Sequence, residues 1–338
     1  MRRIKIDSTL EAKVNDFCNG LFVNGRQIDF EQPKVRLAKL KLTIGGFKPE
    51  KKKLYIQKII DNYDRIIRAK PTEQLALIKE FEAVLSYTEF FDPKKTEPKE
   101  ENSFYKKVVD AMRYEDLREK DIIPIIKNVG IKACVYCNAL LTVVLDQTYK
   151  KSKRNRKVID KPIKANLELD HFYPKSKYPF LCSSFYNLLP CCSNCNRAKS
   201  NKEAKFELYA ENDILDAFKF SLEKDCVENY WLNRDAENIK FQFSAIPEND
   251  ELLKNHNELF CISQIYDTQK DLAEELIHKA FVYNKSYTED LFRNFHELFP
   301  DKTLIKQLII GNYTKPDEIH KRPMAKFTYD IAKQLKLI

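Results

Sequence analysis

Two Cys-x-x-Cys steps constrain this 338-residue chain more than any other feature: Cys134 with Cys137 in ACVYCN, and Cys192 with Cys195 in CCSNCN, 54 residues apart. Each step presents two thiolates from one turn, and two such turns saturate a tetrahedral Zn²⁺ with no coordination position left open. Zinc held this way is structural. In small motifs it supplies roughly 10–16 kcal/mol of apparent binding free energy, enough to fasten a hairpin with a thin core. The other cysteines, Cys18, Cys182, Cys191, Cys226 and Cys261, bring the total to nine. An odd count without an export signal disfavours paired disulfides. Cys191 adjoins Cys192 and could replace it as ligand.

Glycine usage narrows the function. Only six glycines occur, and residues 131–310 contain none. Loops that cradle phosphates need several glycines at fixed spacing, so any ATP-driven step is expected from another chain. Charge is uneven: +6 over residues 1–130, +10 over 131–202 and −7 over 203–338, so the middle stretch holds more than the whole net charge of +9. Such a stripe suits a polyanion, because each neutralised phosphate releases condensed counterions. The acidic C-terminal stretch argues against nucleic acid wrapping the entire surface and is a candidate docking face for a partner. No apolar run is long enough for a membrane span. The opening MRRIKIDSTLEAKVNDF has basic residues with no apolar core behind them, so neither secretion signal nor anchor is expected and the cytoplasm is the default location.

Apolar residues return every three or four positions in LYIQKIIDNYDRII and EQLALIKEFEAVL, which predicts a helical N-terminal region. DPKKTEPKEEN, residues 92–102, reads as a linker or exposed loop. One or two helices follow over 103–128, with Pro124 expected to interrupt them and Gly130 to end them. ALLTVVLDQT (139–148) and ANLELDHF (165–172) are strand candidates. Between them lies YKKSKRNRKVIDKPIK, where eight of sixteen residues are Lys or Arg, suited to a basic hairpin tip or to a merely solvated loop. The C-terminal stretch mixes a small strand region, IKFQFSAI, with helices. His256, His278, His296 and His320 stand apart from the cysteines and are expected on helix surfaces or in the core. The expected fold is α+β: helical residues 1–102, a central module over 103–202 and a mostly helical 203–338.

LELDHFYPKSKYPFLCSSFYNLLP fills the space before the second cysteine step, and NRAKSNK closes it. An Asp-His step at a strand end, an asparagine sixteen residues later and a Cys-x-x-Cys followed at once by Asn and a basic residue resemble the HNH, or ββα-metal, endonuclease motif from Cys134 to Lys202. The resemblance implies a zinc-stapled ββα module with His171 as general base, Asp170 as metal ligand, Asn187 orienting the histidine through its amide and Asn196 as the third motif letter. Asn196 stands where histidine is common; it could ligate through its carboxamide oxygen or cap a helix starting near Ser193. Hard oxygen donors suit Mg²⁺ or Mn²⁺. Lys175, Lys177, Arg197, Lys199 and Lys202, with Lys153, Arg154 and Arg156 of the basic stretch, would line phosphates; otherwise they are solvated charges. The wording DHFYPKSKYPFL, FYNLLPCC, IYDTQKD and GNYTKPDEIHKRPMAKFTYDI is similar to HNH nucleases of bacterial anti-phage systems, of which the Septu type pairs with an ATPase.

The expected function is therefore metal-dependent hydrolysis of DNA, with RNA open. A neutral histidine accepts a water proton, and a cation acts as Lewis acid. Cutting both strands would need a homodimer or recruitment by a partner. Two alternatives remain at this stage: a zinc-containing nucleic-acid binder that does not cut, and a nuclease subunit active only with an ATPase.

Overall fold

The computed structural model describes residues 1–22, 29–96, 98–145, 164–247, 249–299 and 301–338; the basic stretch with Lys153, Arg154 and Arg156 lies outside the described residues. The chain is mostly helical with four two-stranded sheets among the described residues, so the α+β class holds.

The N-terminal helices form where apolar side chains recur on one face. Tyr55, Ile56 and Ile59 turn inward from Pro49–Asp61, and Leu77, Ile78 and Phe81 from Pro71–Glu82. Proline starts both, and also Pro33–Thr43, where its missing N–H costs nothing. Tyr55 meets Phe81, Phe104 and Phe180 edge-on at 5.0, 5.7 and 6.2 Å, and Phe81 stacks on Phe180 at 4.0 Å. Phe180 belongs to the central module, so these helices are one wall of it.

Three helices, Phe104–Ala111, Tyr114–Lys120 and Ile122–Val129, occupy the stretch expected to hold one or two. Pro124 interrupts the run three residues ahead of itself, at Asp121, where Tyr114–Lys120 ends and Ile122–Val129 begins. It lies in the first turn of Ile122–Val129, where backbone N–H groups have no intrahelical partner to lose. Gly130 ends that helix with φ +83°, donating its N–H to Ile126 and Lys127 carbonyls. Val143–Leu145 then pairs antiparallel with Lys164–Asn166, the base of the expected hairpin, whose tip is not among the described residues. ANLELDHF is two strands, since Leu167 separates Lys164–Asn166 from Glu168–His171.

In the C-terminal stretch, Phe218–Leu222 pairs antiparallel with Phe241–Ala245 and is held by helix Ala325–Gln334, whose Asp330 and Gln334 side chains accept from the Phe220 and Leu222 N–H groups at 2.9 and 2.6 Å. The start of the chain joins it: Ile4–Lys5 runs parallel to Tyr209–Ala210. One buried cluster extends from Met1 to Leu337, so the three stretches share a single core. Among the described residues, no helix is long and apolar enough to cross a membrane.

Candidate functional site

Glu168–His171 pairs antiparallel with Leu188–Cys191, setting Asp170 opposite Leu189 and His171 opposite Leu188. The chain then turns at Cys192 into helix Ser193–Lys199. Strand, strand and helix follow in the order the motif implied.

The ligand atoms of Cys134, Cys137, Cys192 and Cys195 all lie within 4.8 Å of one another, and all four residues are buried. Four converging sulfur donors fit zinc and leave no position for a substrate. Cys191 is not in this group; it sits in the strand opposite Glu168, fully buried. Cys192 also caps the helix, its Sγ accepting from the Cys195 N–H at 3.5 Å. Contacts with Cys134, Cys137 and Cys195 pull the Cys192 thiol below its usual range. The first cysteine turn reaches the strand pair through Val135 N–H to Pro190 O at 3.3 Å. It reaches the C-terminal stretch through Tyr266 Oη to Cys137 O at 2.8 Å and through His256 Nε2 to Tyr136 O at 2.9 Å.

Because Cys192 is the cap, Asn196 is not. It stands one turn inside the helix, half-buried, on the wall of a cavity of about 390 Å³. The same cavity gathers Asp170, His171, Lys175 and Arg197, with Tyr114 and Arg118 entering from Tyr114–Lys120.

His171 is only 6% exposed. Its Nε2 lies 3.1 Å from the Cys182 carbonyl, and the Tyr114 ring packs against it at 4.7 Å. A carbonyl only accepts, so Nε2 carries the proton and Nδ1 keeps the lone pair. Burial drops its pKa to about 3, with Lys175, Lys199 and Arg118 adding to the effect. The ring is neutral throughout the physiological range.

Asp170 lies at the cavity wall with its carboxylate already contacted. Tyr136 Oη donates to Oδ2 at 2.5 Å, and Lys199 Nζ lies 3.3 Å from Oδ1 and 3.1 Å from Oδ2. Burial pushes the Asp170 carboxyl up, while Lys199 and Tyr136 oppose this. An ionised carboxylate offers about four lone-pair sites, so an acceptor direction remains on Oδ1 for a cation. The oxygens of Asp170 and Asn196 match a hard divalent ion in donor type, and the adjacent ammonium weakens the attraction.

Two expected roles need correction. Lys199 does not line phosphates: it is fully buried and also donates to the His171 carbonyl at 2.7 Å. Asn187 does not hold the imidazole by its amide. Its Oδ1 accepts from Tyr173 N–H at 2.7 Å, and its Nδ2 donates to the Tyr173 and Leu181 carbonyls at 3.2 and 3.1 Å. It therefore fixes the loop that presents the Cys182 carbonyl to His171. Lys177 lies outside the cavity lining and pairs with Glu203 at 2.7 Å, whereas Lys202 is exposed. Tyr114, Tyr136 and Arg118 were not anticipated. Only Tyr136 carried a signal, by lying inside a cysteine step.

Residues 155–204 match a protein-family model described as HNH endonuclease. This segment contains both site strands and the site helix and begins after the first cysteine step, so Cys134 and Cys137 reach the cluster from outside it. No curated protein and no solved structure matches the chain.

Proposed function

We propose that this chain, with its HNH endonuclease segment at residues 155–204, hydrolyses phosphodiester bonds in DNA at the cavity walled by Asp170, His171 and Asn196. The observation that carries the reading is the Nε2 contact with the Cys182 carbonyl, which makes Nδ1 of a cavity-lining histidine the basic nitrogen. His171 takes the proton of a water whose oxygen attacks phosphorus as the bond to the 3′ oxygen breaks, and the departing 3′ oxygen takes a proton from solvent, leaving a 5′-phosphate and a 3′-hydroxyl. Lys175 and Arg197, on the same wall, draw in the phosphate. Asp170 and Asn196 would hold a Mg²⁺ or Mn²⁺ ion, which supplies Lewis-acid stabilisation of the developing charge. Tyr114 excludes water from one face of the imidazole. The four cysteines would hold a structural Zn²⁺.

The wording around the motif supports a role as an effector in bacterial anti-phage defence, and the acidic C-terminal stretch supports docking of an ATPase partner. One observation favours a nuclease silent until assembled: Lys199 contacts both oxygens of Asp170, so a cation arriving there competes with a resident ammonium.

Zinc-loaded protein should be incubated with plasmid DNA and with RNA, with Mg²⁺ or Mn²⁺, alone and with any co-purifying ATPase. Nicking lost in His171→Ala at unchanged zinc content supports the proposal; nicking retained in that variant refutes it. Affinity for DNA without cutting under every condition would identify a binding module instead.

A further inference from the structure

A second cavity, of about 600 Å³, opens between helices Pro49–Asp61 and Phe104–Ala111 and the turn after Phe91, and it shares no lining residue with the nuclease cavity. Lys52, Lys95 and Lys107 line it together with Phe47, Phe91 and Phe104. Lys52 is 6% exposed, its ammonium standing 5.2 Å from the Phe104 ring centroid where that ring faces the cavity. Its neighbours along the chain have carboxylates: Lys48 and Lys51 take Glu89, and Lys53 takes Glu50. Lys52 has no hydrogen-bond or ion-pair partner among the described residues, and burial together with Lys107 holds its pKa below the ordinary lysine value. Lys107 is exposed and likewise without a carboxylate among the described residues. The acidic residue described in the lining, Asp92, already accepts from the Lys94 backbone N–H at 3.0 Å.

The Lys52 stem is enclosed while its ammonium opens on the cavity without a carboxylate among the described residues, so an anion entering there would be its direct partner. Several ammonium groups facing one cavity call for a dianion rather than a single carboxylate. Phe47 and Phe91 are only half-buried, offering ring surface beside these cations. Aromatic faces next to cations are how proteins take a base and its phosphate together, and the volume falls within the range of small-ligand sites. We propose that this cavity binds a nucleotide, its phosphate on Lys52 and Lys107 and its base against Phe91 and Phe47. The nucleotide is either free or the 5′-phosphorylated end of a single strand.

Titration calorimetry of the full zinc-loaded chain, without added divalent ion, tests this with three probes: adenosine 5′-monophosphate, a 5′-phosphorylated trinucleotide and inorganic phosphate. The mononucleotide should bind at least about tenfold more tightly than inorganic phosphate. Lys52→Met should lose about tenfold or more, and Lys107→Ala and Phe91→Ala, both near the surface, should each weaken binding if the first variant fails to fold. Lys175→Ala, in the other cavity, should leave binding unchanged. A trinucleotide that binds better than the mononucleotide identifies a strand end; the reverse identifies a free nucleotide. Absence of heat at about 1 mM mononucleotide, equal affinity for inorganic phosphate, or a loss confined to Lys175→Ala would each overturn the proposal. DNA nicking by Lys107→Ala should equal that of the unsubstituted chain, which separates this site from the nuclease reading.

Discussion

At the residue scale, burial keeps the His171 ring neutral and withdraws Lys199 from the phosphate. The imidazole has a single protonated nitrogen because a carbonyl takes it, so its role depends on Cys182, eleven positions away. His171→Ala is expected to slow cleavage by about 10²–10⁴-fold in single-turnover assays while nucleic-acid affinity is retained. Since burial depresses its pKa to about 3, the basic form is already complete well below the ordinary value of 6.5. The rate should therefore stay flat from neutral pH down to about 5, and a unit-slope decline centred near 6.5 would contradict this. Lys199 behaves oppositely to a phosphate contact. Lys199→Met should leave the salt dependence of affinity unchanged and cost roughly 3–5 kcal/mol of stability, because Asp170 stays buried without its ion pair. Arg197→Ala should instead reduce the log–log salt slope by about one, as expected for a cavity-edge cation.

At the scale of elements, the strand Glu168–His171 and the helix start at Ser193 were legible because their determinants are local, whereas the partner strand Leu188–Cys191, with a proline and no β-branched residue, was implied only by the family resemblance. Where the run breaks near Pro124 and what Asn196 does were less legible. Where a proline's break falls depends on where the preceding helix stops, and whether an asparagine caps depends on whether Cys192 already does. Asn187 belongs to this scale as well, since it joins Tyr173 to Leu181 across the loop between the strands. Asn187→Ala should lower stability by about 1–3 kcal/mol, from buried carbonyls left unpaired, and reduce kcat more than it raises KM. Denaturant midpoints and steady-state kinetics on the same variant check both parts. Chelation, which would empty the four-cysteine cluster of its proposed zinc, should raise amide exchange in Ser193–Lys199 and also at Ile262–Asp267, whose Tyr266 bonds the Cys137 carbonyl. Exchange confined to the site helix would show that the cysteine cluster does not support the C-terminal packing.

At the scale of the whole molecule, the cysteine cluster sits inside a core shared by all three stretches. His256 stacks on Phe218 at 4.4 Å and reaches the Tyr136 carbonyl, while His320 reaches the Arg2 carbonyl at 2.8 Å. Both were expected on helix surfaces or in the core, and both are buried. Burial depresses each pKa from 6.5 to about 3. The unfolded chain then binds more protons than the folded one between these values. Stability is thus complete above 6.5 and is lost as pH falls toward 3, each histidine contributing on the order of 4 kcal/mol. Denaturant midpoints should decline across that window, and less so in His256→Phe; an identical decline in that variant would exclude His256 as a source.

Residue identity and spacing by themselves determined the two Cys-x-x-Cys steps, the helix start near Ser193 and the Asp170–His171 step at a strand end, because each rests on residues a few positions apart. Tertiary structure alone decided which lysine meets solvent and which is sealed against Asp170, what Asn187 holds, and that Tyr136 and Tyr114 bracket the site. Those outcomes depend on burial and on partners brought together from distant parts of the chain: Tyr136 lies 34 positions before Asp170 and Lys199 lies 29 after it. Local pattern carries no information about which of several charged side chains the fold will enclose.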